Sequence, residues 1–148
     1  MTHDILKKIK VLFIAGFGPI VTNQKENEQL FKNILGLPLE TIEGYDGYLH
    51  VEKIQGVKCF ALWPLDKAAM SCFGTAVWPK SLPVPQAWLE MDVADISSAT
   101  LILEQSGYQL LTRLQEEPWG KIVTRFLSPD GILMAISHTP FLRDVAEK

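Results

Sequence analysis

Apolar positions run along this chain in two rhythms, and the two rhythms alternate. The stretch V-L-F-I-A-G-F-G-P-I-V over residues 11–21 is rich in β-branched and aromatic side chains and predicts a buried strand. Thr22 or Asn23 then caps a helix, with Glu26 close behind. Leu30, Phe31, Ile34 and Leu35 follow at helical spacing on one face, and Gly36 closes the helix. Strands are predicted near 47–54 and 57–63, with Gln55-Gly56 as a two-residue hairpin between them. The same order then starts again. P-Q-A-W-L-E-M-D-V over 85–93 alternates with period two, Ala87, Leu89 and Met91 on one face and Trp88, Glu90 and Asp92 on the other. Asp95 caps a second helix with Ile96, Ala99 and Leu103 on its inner side, and Gly107 ends it. Strands are predicted near 108–113, 121–127 and 131–138, the last pair joined by a tight Pro129-Asp130-Gly131 turn.

Each half therefore reads strand, helix, then about three strands. The expected class is α+β, as one domain over 1–148 that holds an internal duplication. Module one covers about 11–63 and module two about 85–138. The segment between, about 64–84, is punctuated by proline and has no clear period beyond one short helical turn around 66–72. It reads as a connector between modules, or as a lid over a ligand site.

Composition narrows the classes. A formal charge of −3 gives no reason to expect nucleic acid or an anionic membrane as partner. Cys59 and Cys72 are too few for a disulfide framework and form no CxxC pair. The apolar run after Lys10 is broken by Gly16, Gly18 and Pro19 and does not read as a signal peptide. A cytoplasmic protein with reduced thiols is the expectation.

Two stretches carry a resemblance. N-E-Q-L-F-K-N-I-L-G-L-P-L-E (27–40) and E-E-P-W-G-K-I-V-T-R-F-L-S-P-D-G-I-L-M-A-I (116–136) resemble segments of the vicinal oxygen chelate superfamily. That superfamily includes glyoxalase I, bleomycin-resistance proteins and extradiol dioxygenases. Ser128 stands where the superfamily's turn has its first Asp. The resemblance implies a pair of βαβββ modules, each curling its sheet into half a barrel, with the helix on the convex side and a ligand pocket on the concave side. Within that frame, alternation sends Ala87, Leu89, Met91, Met134 and Ile136 toward the helices. It sends Trp88, Glu90, Leu133, Ala135 and Ser137 into the cavity, and Cys59 to the helix side.

The resemblance also implies a divalent metal held by His, Gln or Glu on the first and last strands of the modules. Those places fall here on Gly16, Trp88, Phe60 and Ala135, none of which has a donor atom to offer a metal. The expectation is a binding cavity without metal, cofactor or catalytic residue, lined by Gly16, Phe60, Leu62, Trp88, Glu90 and Ala135. Of the three histidines, His3, His50 and His138, the last two leave one other route open, in which His50, Glu52, Glu90 and His138 converge on an ion. Glu90 beside Trp88 favours a cationic or aromatic small molecule, unless Glu90 is spent on Arg125 or Lys58. Trp119 is either a plug at a strand entrance or a ligand contact. Three functions follow: a homodimeric binding protein of the bleomycin-resistance type that sequesters an antibiotic or metabolite; a metal-dependent lyase or isomerase of the glyoxalase type, or a dioxygenase; or an interaction module with a vestigial cavity.

Overall fold

The structure, a computed structural model, describes residues 8–143, the side chain of Asp46 excepted. His3 therefore lies outside the described residues. The strands are β1 (Val11–Val21), β2 (Glu40–Ile42), β3 (Tyr45–Val51), β4 (Phe60–Pro64), β5 (Ala87–Val93), β6 (Leu110–Glu116), β7 (Ile122–Leu127) and β8 (Leu133–His138). The helices are α1 (Gln24–Glu28), continued by a π-helical stretch over Gln29–Ile34, then α2 (Leu65–Phe73) and α3 (Ile96–Gln105). A single 3-10 turn, Pro140–Leu142, follows β8.

All eight strands join one mixed sheet in the order β2-β3-β4-β1-β5-β8-β7-β6. The order reads the same from either end once β1–β4 are matched to β5–β8, so each half is a β-α-β-β-β unit and the halves meet where β1 pairs antiparallel with β5. This mixed sheet with few helices is an α+β architecture.

The helices begin where their caps dictate. The Asn23 side chain accepts from the Glu26 amide at 3.0 Å, and the Asp95 side chain accepts from the Ser98 amide at 3.1 Å. α3 buries Ala99 and Leu103 against Val93, Phe126 and Ile136. Thr100 and Thr124, both fully buried, satisfy one another across the α3–β7 contact at 2.8 Å. The first helix departs from expectation. Only Phe31 of its four apolar positions packs on the core, while Leu30, Ile34 and Leu35 are exposed, Ile34 by 66%. The cause is the wider winding: Leu35 donates to the carbonyl five residues back, Leu30, at 2.9 Å. A π turn breaks the 3.6-residue period on which a shared face for 30, 31, 34 and 35 depends.

The β3–β4 connection turns at Gln55-Gly56 as expected, but its strands are shorter. The Val57 amide donates to the Ile54 carbonyl at 3.4 Å with Gly56 at φ +96°, while strand pairing stops at Val51↔Phe60 and leaves residues 52–59 outside the ladder. The turn before β8 is as read, and Ser128 completes it. The Gly131 amide donates to the Ser128 carbonyl at 2.9 Å, and Ser128 Oγ accepts from the Ile132 amide at 3.0 Å. A hydroxyl thus does the work of an Asx carboxylate.

The connector holds more structure than one turn. α2 runs nine residues, and its Ala68, Ala69 and Cys72 are buried against Ile20, Ala61, Trp88 and Leu133. Trp78 packs edge-on to Phe73 at 5.0 Å and donates to the Pro83 carbonyl at 3.0 Å. The connector therefore closes one end of the concave side with its own small hydrophobic core.

Candidate functional site

The remaining concave space is a cavity of about 470 Å³. β3 contributes Tyr45 and Tyr48, with Glu52 just beyond it; Cys59 and Trp63 come from the start and end of the β4 region; β5 gives Trp88 and Glu90; β7 gives Arg125, with Lys121 just before it; Trp119, Phe141 and Leu142 close the mouth. Aromatic surface dominates, and a few charges are set among it, the usual make-up of an organic-ligand site.

Trp88 organises the floor. Its indole lies against the backbone of β1 at a point where only glycine fits. A Cβ on Gly16 would lie 2.8 Å from Trp88 Cη2, and a Cβ on Gly18 would run into the Ala61 carbonyl. The indole N–H donates to that same carbonyl at 3.1 Å, and Trp63 meets the ring edge-on at 6.1 Å. Small residues in β1 and a large one in β5 are therefore one packing decision.

The charges are paired inside the cavity. Glu90, 8% exposed, accepts from Lys121 Nζ at 3.0 and 3.3 Å and from Ser137 Oγ at 3.1 Å. Arg125, 4% exposed, reaches Glu117 through Nη2 at 3.4 Å and lies over the Trp63 ring at 5.7 Å. Its Nη1 is buried and meets no acceptor among the described residues. Burial pushes the Tyr48 hydroxyl well above its ordinary range. Burial, with Glu52 and Glu90 adding to it, pushes the Cys59 thiol up to about 11. Both groups are held protonated at neutral pH, and Cys59 is a poor nucleophile.

Behind Glu90, the fully buried Asp92 fixes the mouth. One of its oxygens accepts from the Thr139 amide at 2.8 Å and the Thr139 hydroxyl at 3.0 Å; the other accepts from Arg143 Nε at 2.9 Å. This clamp seats Phe141 and Leu142 as a wall of the cavity. Across the opening, Tyr45 and Trp119 stand edge-to-face at 6.1 Å, so the two ends of the sheet meet through an aromatic pair.

The expected lining residues divide. Trp88 and Glu90 face the cavity. Gly16 does not line it: the Trp88 ring covers Gly16, and Ala15 is the β1 residue at the wall. Ala135 lies beside Glu90 and Arg125 in register and is buried beneath them. Phe60 and Leu62 face the other way. Phe60 packs against Phe17 at 5.6 Å and Phe31 at 5.7 Å, and Leu62 sits with Val21, Leu39, Leu49 and Val51 under the first helix. Cys59 correspondingly faces the cavity rather than the helix. The β3–β4 register, the same as that of a two-residue Gln55-Gly56 hairpin, pairs Val51 with Phe60 and Leu49 with Leu62, so both β4 residues share the face of Leu49 and Val51 under the first helix. Glu90 is spent on Lys121, not on Arg125 or Lys58.

The implied metal does not fit these residues. Of the four places named for its ligands, Gly16 and Trp88 are packed on each other, Phe60 is on the opposite face, and Ala135 has no donor. The second route fails by placement. His50 stacks on Tyr48 at 6.0 Å with Nδ1 3.4 Å from Glu52, whereas His138 Nδ1 lies 3.5 Å from Arg143, on a strand separated from that of His50 by three others in the sheet order. Among the described residues no three His, Cys, Asp or Glu side chains are grouped as ion ligands.

Sequence reasoning missed Tyr48, Lys121 and the role of Arg125. The signal was present in period two: Tyr48 alternates with Leu49 and Val51 of the core, and Lys121, Val123 and Arg125 alternate with Thr124 and Phe126 under α3.

Known structures share this frame. A glyoxalase/bleomycin resistance protein/dioxygenase superfamily member from Vibrio splendidus 12B01 matches with TM-score 0.56 and 12% identity, over 89% of this chain and 100% of that one. The chain has the glyoxalase/bleomycin resistance fold. Methylmalonyl-CoA epimerase from Mycobacterium tuberculosis is similar at TM-score 0.58 and 14% identity, over 92% of this chain and 94% of that one. A Streptomyces coelicolor methylmalonyl-CoA epimerase in complex with 2-nitronate-propionyl-CoA is similar at TM-score 0.55 and 11% identity, over 91% and 99%. No protein-family model matches the chain, and no curated protein matches it. Among the described residues no helix is long and apolar enough to cross a membrane.

Proposed function

We propose that this chain is a small-molecule binding protein that holds an organic ligand in its concave cavity without a metal, in the manner of bleomycin- and other antibiotic-resistance proteins. The observation that carries the reading is the Trp88 indole wedged against Gly16. An aromatic floor stands where the fold's metal-dependent members present ligand atoms. Trp63, Trp88, Tyr48 and the Tyr45–Trp119 pair supply stacking surface, and Phe141 completes the enclosure. The alternative, a metal-dependent lyase, isomerase or dioxygenase, finds no donor set among the described residues.

The test is a thermal-shift screen of flat aromatic compounds against the full chain in buffer containing EDTA, since a ligand that prefers the folded state raises Tm. The reading expects saturable shifts that EDTA leaves unchanged. Shifts that appear only on adding Zn²⁺, Ni²⁺ or Mn²⁺ would overturn it.

The reading extends to a homodimer. Val11, Leu12, Ile14 and Phe17 expose apolar surface along β1. Light scattering at micromolar concentration is expected to give twice the chain mass of 16.6 kDa. A monomer at every concentration would refute this part.

A further inference from the structure

The cavity's charges are self-neutralising, and this decides what kind of molecule it takes. Two cations, the buried Arg125 and the partly buried Lys121, face two carboxylates, the buried Glu90 and the partly buried Glu117, and each is already paired. A third carboxylate, Glu52, stands half-exposed at the rim beside His50. A cationic ligand finds no free carboxylate inside, because both Glu90 oxygens already accept from Lys121 and one accepts from Ser137 as well. An anionic ligand leaves the interior with a net uncompensated charge and must pass Glu52. A cation would be desolvated without a free partner, and an anion would add charge to an interior whose two cations are already balanced.

One bonding capacity remains unused. Arg125 Nη1 is buried, belongs to a residue that lines the cavity, and meets no acceptor among the described residues. A buried N–H with no acceptor is costly and is satisfied by an acceptor oxygen; a neutral one does so without upsetting the balance of Lys121 and Arg125 against Glu90 and Glu117. The flat surfaces nearest to it are aromatic: Trp63 lies directly under the guanidinium, and Trp88 meets Trp63 edge-on.

Building on the binding function proposed above, we infer that the ligand is a neutral, flat aromatic molecule carrying a carbonyl-type acceptor oxygen. The ring lies against Trp63 and Trp88, and the oxygen accepts from Arg125 Nη1. This replaces the cationic ligand that Glu90 suggests when the sequence is read alone.

Four naphthalene probes of matched size separate the possibilities by equilibrium dialysis against the full chain: 2-acetylnaphthalene, 2-ethylnaphthalene, 2-naphthoate and 2-naphthylmethylammonium. The ketone is expected to bind at least tenfold tighter than the hydrocarbon and at least tenfold tighter than either ion. Either ion binding as tightly as the ketone would overturn this ligand class while upholding a binding cavity. Equal affinity for ketone and hydrocarbon, or binding by none of the four, would overturn it as well; the library screen judges the binding function separately. Arg125→Lys keeps the charge and removes Nη1. It is expected to remove the ketone's tenfold advantage over the hydrocarbon, the two binding the variant alike; an advantage kept in a folded variant would overturn the contact. The comparison among probes on the unaltered chain decides the matter even where that variant does not fold.

Discussion

At the scale of single residues, the cavity is set by the exchange of size between β1 and β5. Gly16 cannot gain a methyl group without displacing Trp88 or the Cys59 carbonyl. Gly16→Ala is expected to lower stability by about 1–3 kcal/mol in urea denaturation, the usual cost of overpacking. Trp88→Leu should make the same Gly16→Ala change less costly, because the ring is gone and only the Cys59 carbonyl still crowds the new methyl; strict additivity of the two changes would show that they do not share one space. The thiols give a prediction in pH. Burial raises Cys59 and Cys72 from 9.0 to about 11, so the folded chain keeps protons that the unfolded chain releases between those values. Folding free energy therefore falls as pH rises from about 9 to 11. Urea midpoints taken at pH 8 and pH 10.5 should show the loss, and replacing both cysteines by alanine should shrink it. An unchanged slope in the double variant would assign the loss to other groups.

At the scale of elements, the caps and turns were legible because they act locally. Asn23, Asp95 and the Ser128–Gly131 turn each do their work within a few residues. The π-helical stretch and the face of β4 that meets the core were not legible, since both depend on distant partners. Phe60 packs on Phe31 and Phe17, and Leu62 pairs with Leu49 under the first helix, contacts that set the face of β4 and that no alternation within β4 alone supplies. The C-terminal wall is an element held by one clamp. Arg143→Ala leaves Asp92 buried with half of its partners and is expected to cost on the order of 3 kcal/mol. It should also speed amide exchange at Phe141 and Leu142. Stability loss without faster exchange there would mean that Asp92 does not hold the wall. α2 is a plug in the same sense: Ala68 and Ala69 are fully buried, so enlarging either is expected to destabilise rather than to widen a site.

For the molecule as a whole, the sequence revealed the fold's duplication because hydrophobic period and helix punctuation repeat in both halves. The site lies where the halves differ: glycine in β1 answers tryptophan in β5, and Arg125 and Lys121 of the second half have no counterpart in the first. Resemblance to the superfamily located the concave face, but only coordinates showed that Trp88 and Gly16 are packed together and that Glu90 is neutralised by Lys121. What unites these observations is a cavity built for stacking and one hydrogen bond, with no ion at its centre. Equilibrium dialysis of the purified chain against Zn²⁺, Ni²⁺ and Mn²⁺, with bound metal counted by mass spectrometry, tests that claim most directly. The account predicts far less than one ion per chain, unaltered by Glu90→Gln. One tightly held ion per chain, lost in Glu90→Gln or His50→Ala, would contradict it.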